Sequence, residues 1–85
     1  MAIKMKTVVT YRTTATATSH ARTEIPVRDL ITVIDEPLER GGTNEGISPT
    51  ETALAALIGC TSVIGHKNAK RLGIDLGDVT IDADC

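Results

Sequence analysis

The segment SPTETALAALIGC, residues 48–60, constrains the fold of this chain more than any other part of the sequence. Ser48 followed three residues later by Glu51 forms the pattern of a capping box, and Pro49 suits the first position of a helix. Lysine and arginine residues ending at Arg71, followed closely by a glycine, are typical of a helix end. The pattern therefore predicts one helix from Pro49 to about Arg71, roughly 35 Å long at 1.5 Å per residue.

The first half of this helix is apolar on every side. Residues 53–60, ALAALIGC, are apolar around the whole circumference, which is typical of a helix buried on all sides. A chain of 85 residues with one aromatic residue, Tyr11, can build only a small core of its own. We therefore expect a second copy of the chain, or further sequence, to cover the helix. Close approach of such an element would offset the cost of Gly59 and Gly65, about 1 kcal/mol each relative to alanine.

Strands are predicted on both sides of the helix, from alternating and β-branched residues. Pro26 lies in the second of them and marks an edge or irregular position, because proline cannot donate to a ladder. The predicted strands cover residues 7–18, 23–28, 30–35 and 79–85. The fold class is therefore α+β, with antiparallel N-terminal strands, one long buried central helix and then a further strand. Residues 1–85 form a single domain, which we expect to continue beyond the C-terminal end.

Composition and charge exclude several classes of function. A net charge of −2 and an isoelectric point near 5.5 argue against nucleic acid or an anionic membrane as a partner. The N-terminus lacks a signal-peptide core and the longest apolar stretch is too short to span a bilayer, so we expect a cytoplasmic protein. The cysteine and histidine residues lack the spacing of metal ligands, and no phosphate-binding motif is present. No metal and no cofactor are therefore expected.

Cys60 is the main candidate for chemistry. On residue type alone it is either a small packing residue or a reactive thiol, and a reactive thiol needs a nearby cation or hydrogen-bond donors. His66 points about 120° away on the helix, and Lys67 lies about 10 Å along it. Glu51 lies about 13 Å before Cys60 and is more simply explained as a capping residue. Any activating group must therefore come from the strands or from another chain.

An ordered set of motifs resembles a known family. The acidic-proline turn, the loop GGTNEG, the helix start SPTE and the alanine-rich helix reaching Gly-Cys follow one another between about residues 35 and 82. In this order they resemble the central segment of the OsmC/Ohr superfamily. The sequence is more similar to the broad OsmC-like group than to the organic hydroperoxide resistance branch.

The resemblance implies a fold and an activity. Members are intertwined homodimers with the long helices buried between sheets, and characterised members are thiol peroxidases of organic hydroperoxides that act in oxidative stress defence. A cysteine at the position of Cys60 attacks the peroxide and becomes a sulfenic acid. An arginine and a glutamate near the helix start orient and activate it, and dithiol reductants such as lipoyl proteins restore it.

The resemblance also implies site residues. Cys60 takes the place of the peroxidatic cysteine, and Glu51 that of the glutamate. In the hydroperoxide resistance branch the glutamate directly follows the proline, where this chain has Thr50. Among the N-terminal arginines Arg22, beside the first turn, is preferred as the activating residue over the two alternatives, Arg12 and Arg28.

Two other functions remain open at this stage, and so does the role of the second cysteine. The chain could be a non-enzymatic dimeric module, or a binder of an apolar small ligand in which Cys60 only packs. Cys85 falls in phase with the apolar face of the last predicted strand, which favours a core residue. The family's resolving cysteine lies on a later helix, so Cys85 is not expected to resolve the sulfenic acid.

Overall fold

The structure, a computed structural model, describes residues 9–84. Its fold is α+β, as the sequence predicts, with a three-stranded antiparallel sheet and one long helix. A short 3₁₀ turn lies in the loop between the sheet and the helix. The elements in chain order are β1 (Thr16–Ala17), β2 (Thr23–Val27), β3 (Leu30–Ile34), the 3₁₀ turn (Leu38–Arg40) and α1 (Pro49–Arg71).

The second and third predicted strands are confirmed as β2 and β3. They form an antiparallel hairpin in which Val27 lies opposite Leu30, so the loop between them has only two residues, Arg28 and Asp29. Arg28 has a positive φ of 57°, a conformation suited to the tight turns of such hairpins. The order of the strands is β1-β2-β3, with β2 in the middle.

Pro26 takes an edge-like position although β2 is the central strand. It lies opposite Ile31 of β3, and β1 pairs only with Thr23 and Glu24. The side of Pro26 that faces away from β3 therefore has no strand beside it. Its carbonyl oxygen instead accepts a hydrogen bond from the hydroxyl of Thr13.

The first predicted strand, residues 7–18, is much shorter than expected. Only Thr16–Ala17 is a strand, and residues 9–15 are not, while residues 7 and 8 lie outside the described part of the chain. Thr16 pairs with Glu24, so the same register would place Thr14 opposite Pro26. Because proline has no N–H to donate, the ladder stops before that pair.

The prediction of a fourth strand over residues 79–85 is wrong for the residues that the structure describes. Residues 79–84 are not in a strand, and Cys85 lies outside the described range. Alternation reports which face of a strand would be apolar, but a strand also needs a neighbouring edge with which to pair. A turn precedes this segment: Gly77 has a φ of 64° and its N–H donates to the side chain of Asp75 at 3.0 Å.

The helix prediction is confirmed at both ends. At the start, the N–H of Glu51 donates to the Ser48 hydroxyl at 3.2 Å, and the N–H of Ser48 donates to the Glu51 carboxylate at 2.9 Å. At the end, Gly73 adopts a φ of 73° and its N–H reaches the carbonyl of Lys70. The N–H of Ile74 reaches the carbonyl of Ala69, which completes a Schellman motif.

The predicted burial of the helix is absent in the single chain. Among residues 9–84, Ala69 is the only helical residue that is buried, whereas Leu57 is 60% exposed and Ile64 is 58% exposed. A β-carbon added to Gly59 or Gly65 would meet no atom within 4 Å. The radius of gyration of 17.6 Å exceeds the value of about 12 Å expected for a compact chain of this length. The helix therefore projects from the sheet with its apolar surface uncovered.

We expect Ser48→Ala to lower the free energy of unfolding by about 1 kcal/mol, because the helix loses its N-terminal cap. Urea denaturation at one fixed protein concentration measures this change. Thr50→Ala is the control, since Thr50 is exposed and lies next to the capping residues in the same turn. Equal effects of the two substitutions would contradict a specific role for the cap.

Candidate functional site

The carboxylate of Asp35 organises the loop between the sheet and the helix. Asp35 follows β3 directly and is fully buried, with 0% of its surface exposed. It accepts hydrogen bonds from the N–H groups of Glu36 at 2.8 Å, Thr43 at 3.2 Å and Glu45 at 3.1 Å. The Thr43 hydroxyl lies 2.5 Å from the same carboxylate. The loop is therefore folded around one buried negative charge.

These hydrogen bonds lower the pKa of Asp35 to about 2. The bond from the Thr43 hydroxyl is the largest cause, burial opposes it, and the backbone N–H groups of Glu45, Glu36 and Thr43 add to it. From the sequence, Asp35 is predicted only as the end of a strand and the start of a turn. The signal that could have found it is an aspartate between a strand and a proline, followed by a loop with many backbone donors.

Two glycines of the loop pack tightly against the backbone. A β-carbon on Gly42 would lie 1.9 Å from the carbonyl oxygen of Glu36, and one on Gly46 would lie 2.0 Å from that of Val33. The residue after Gly46, Ile47, forms a parallel bridge with Ile34, and its carbonyl accepts from the N–H of Asp35. Gly46 therefore allows close packing against β3, and Gly42 allows close packing within the loop itself.

Arg22, the preferred arginine, links the sheet to this loop. Its Nη1 donates to the Thr18 hydroxyl at 2.9 Å and to the Glu24 carboxylate at 2.8 Å. Its Nε lies 3.5 Å from a carboxylate oxygen of Glu45. The side chain is 18% exposed, and the pKa of Arg22 is raised first by the hydrogen bond to Glu24, then by the charges of Glu45, Glu24 and Asp35.

The carboxylate of Glu51 accepts a hydrogen bond in the helix cap. The hydrogen bonds from Ser48 lower the pKa of Glu51, and the positive charge of Arg40 lowers it further. Two open surface cavities, of about 420 and 510 Å³, are lined in part by Glu51. Cys60 does not line either cavity, since it lies about 13 Å farther along the helix.

Cys60 lies on the exposed surface of the helix. His66 does not face it, because the Nδ1 atom of His66 lies 2.7 Å from the carbonyl oxygen of Ser62 on its own helix. Within residues 9–84, no hydrogen bond or ion pair connects Cys60, Arg22 and Glu51 with one another. The single chain therefore places the three predicted site residues on three separate features: the helix surface, the start of β2 and the helix cap.

The described residues hold neither a metal site nor a membrane-spanning helix. No group of three or more histidine, cysteine, aspartate or glutamate side chains within residues 9–84 is placed to hold a metal ion. In the same range, no helix combines the length and the apolar character needed to cross a membrane.

Comparisons with protein-family models, with curated proteins and with solved structures give no match. The resemblance to the OsmC/Ohr superfamily therefore rests on the ordered motifs of residues 35–82 alone.

We expect Asp35→Asn to reduce stability at neutral pH and to flatten its dependence on acid. The pKa of Asp35 is lowered from 3.8 to about 2 on folding, so the parent's stabilisation is fully present above about pH 4 and is lost as the pH falls towards about 2. Asparagine cannot ionise, and its NH₂ group would face backbone donors. Urea unfolding between about pH 2 and 7 measures the effect.

Asp29→Asn is the control for this prediction, because Asp29 is an exposed residue of the hairpin loop. It should leave the acid-dependent loss of stability in place. A parent-like loss in the Asp35→Asn variant would show that another group carries the acid dependence.

Proposed function

We propose that the chain is an OsmC-like thiol peroxidase of organic hydroperoxides, with Cys60 as the peroxidatic residue and a second copy of the chain as its partner. The observation that carries the proposal is the position of Cys60, exposed in the middle of a helix whose apolar side chains have no cover within residues 9–84. The ordered motifs around this helix supply the resemblance.

The uncovered helix supports a partner with the same surface. Leu57, Val63 and Ile64 are each more than half exposed in the single chain. Several large apolar side chains exposed on one helix favour association, because monomers rarely expose large apolar surfaces. Gly59 and Gly65 have open space around them, so a second helix can approach closely there. In the dimer the apolar surface around Cys60 becomes a pocket for the apolar part of a hydroperoxide.

The reaction is a two-electron oxidation of the sulfur. The Cys60 thiolate attacks the outer oxygen of the hydroperoxide, an S–O bond forms, the O–O bond breaks and the alkoxide takes a proton and leaves as the alcohol. A dithiol reductant then attacks the sulfenic sulfur and releases water. Its second thiol displaces Cys60 from the mixed disulfide, which restores the thiolate and leaves the reductant oxidised.

Arg22 and Glu51 act on Cys60 across the pair of chains in this proposal. Within one chain Glu51 lies about 13 Å along the helix from Cys60, too far for contact. Packing two helices side by side can place the start of one near the middle of the other. A guanidinium beside the sulfur would favour the thiolate and so the attack on the peroxide.

A structural or ligand-binding role is the alternative. Among the described residues, no hydrogen-bond donor contacts the sulfur of Cys60, as expected for a residue that only packs between helices. In that case the dimer forms with the same surface but Cys60 shows no special reactivity towards peroxides.

We expect the folded protein to be a dimer or larger, and Leu57→Asp to weaken that association by about tenfold or more, since an unpaired buried carboxylate costs several kcal/mol. Sedimentation equilibrium at several concentrations measures this. Leu38→Asp is the control, because Leu38 is also exposed but lies in the 3₁₀ turn. A parent that is monomeric and cooperatively folded at micromolar concentration would disprove the prediction.

We expect Cys60 to be the thiol most sensitive to peroxide, and to react faster with cumene hydroperoxide than with hydrogen peroxide, because the surrounding surface is apolar. Sulfenic acid trapping followed by mass spectrometry identifies the oxidised residue, and Cys60→Ser should abolish peroxide consumption. If Cys60 stays reduced while Cys85 or a methionine is oxidised, the packing role is correct instead.

A further inference from the structure

Two of the five N–H donors of Arg22 already have acceptors within the chain. Both hydrogens of Nη1 have acceptors, in the Thr18 hydroxyl and the Glu24 carboxylate. The Nε atom is buried without a hydrogen-bond partner among the described residues, and a carboxylate oxygen of Glu45 lies 3.5 Å from it. The Nη2 atom makes no hydrogen bond within residues 9–84 and is not among the buried unpaired atoms. One pair of N–H donors is therefore available to a group outside the chain.

Glu45 is held in place by its own loop. Its N–H donates to the buried Asp35 carboxylate at 3.1 Å, which fixes the backbone of the residue. The next residue, Gly46, lies against the carbonyl of Val33 so closely that a β-carbon would be 2.0 Å from that oxygen. The loop therefore lies tightly against β3, and it places the Glu45 carboxylate 3.5 Å from the Nε atom of Arg22.

The hydroxyl of Thr43 cannot hold Glu45 by itself. Its oxygen lies 2.5 Å from the Asp35 carboxylate and 2.8 Å from the Glu45 carboxylate, but a hydroxyl has only one hydrogen to donate. The shorter contact, to buried Asp35, takes that hydrogen. The Glu45 carboxylate is then left with the Arg22 guanidinium as its charged partner.

We propose that Glu45 is the positioning residue for Arg22. This inference rests on the proposed function and says how its arginine is oriented. Glu24 accepts a hydrogen bond from Nη1 at 2.8 Å and the Glu45 carboxylate lies 3.5 Å from Nε, so two carboxylates from different segments face two sides of the guanidinium. The donors of a planar guanidinium have a fixed arrangement. Two carboxylates that hold Nη1 and Nε therefore also set the direction of the Nη2 donors. Fixed donors stabilise a thiolate or a peroxide oxygen without reorganisation during the reaction.

The test compares charge-removing variants with the parent protein. Glu45→Gln should slow the oxidation of Cys60 by cumene hydroperoxide about tenfold, because the donors are no longer held in position. It should also move the pH–rate profile to higher pH, since the thiolate loses a fixed donor. Glu39→Gln is the matched control, because Glu39 is an exposed glutamate of the same loop without contact to Arg22 in the described chain.

A double variant separates positioning from a general loss of structure. If Glu45 acts through Arg22, then Arg22→Gln with Glu45→Gln should react no more slowly than Arg22→Gln alone. Additive losses, or a Glu45→Gln variant that reacts at the parent rate, would overturn the inference while leaving the proposed function intact.

An independent measurement tests whether Glu45 holds the guanidinium of Arg22. The Nε–H of Arg22 should exchange slowly with solvent in the parent, by nitrogen-15 NMR, and faster in Glu45→Gln but not in Glu39→Gln. A parent in which Cys60 does not react overturns the proposed function, and the exchange rates then still decide whether Glu45 holds the guanidinium. Unchanged exchange in Glu45→Gln overturns the positioning role.

Discussion

The buried carboxylate of Asp35 is the interaction on which the connection between sheet and helix depends. A fully buried charge is costly unless it is hydrogen-bonded, and Asp35 has donors from Glu36, Thr43 and Glu45. These donors come from both ends of the loop, so satisfying the charge also closes the loop. The result is a fixed path from β3 to Ser48, where the helix begins. The position of Arg22 depends on the same loop, since Glu45 reaches the guanidinium from it.

The contrast between the loop and the helix is the main feature of the molecule. The loop holds a buried carboxylate, Asp35, with several hydrogen bonds and has close backbone contacts, whereas the helix exposes Leu57, Val63 and Ile64. A helix stabilises a small protein mainly through the apolar surface that it buries, and this helix buries little within the described chain. Its regularity comes from its caps and from alanine and leucine. The proposal of a second copy follows from this imbalance between a well-formed helix and an uncovered surface.

Local signals in the sequence predicted the elements well where the cause of the structure was itself local. The capping box of Ser48 and Glu51 and the glycine after Arg71 gave both ends of the helix, because caps satisfy backbone groups within a few residues. The strands around Pro26 and Val33 were also predicted. The predictions for residues 9–15 and 79–84 were wrong, because a strand depends on the neighbour that pairs with it. In residues 9–15 the strand is prevented by Pro26 on the facing strand. The sequence of residues 7–18 alone does not show which residue lies opposite them.

For the candidate site, too, some features follow from the sequence and others only from the tertiary structure. The sequence by itself determined the α+β class and the helix that carries Cys60, and its motifs support the resemblance from which the peroxidase proposal comes. Only the tertiary structure decided that Asp35 is fully buried, that Glu45 reaches Arg22 and that Gly46 packs on Val33. These contacts join residues from different segments, and their strength depends on the exclusion of water. Periodicity and capping patterns describe residues that are close in sequence, so they carry no information about which distant groups share one buried charge.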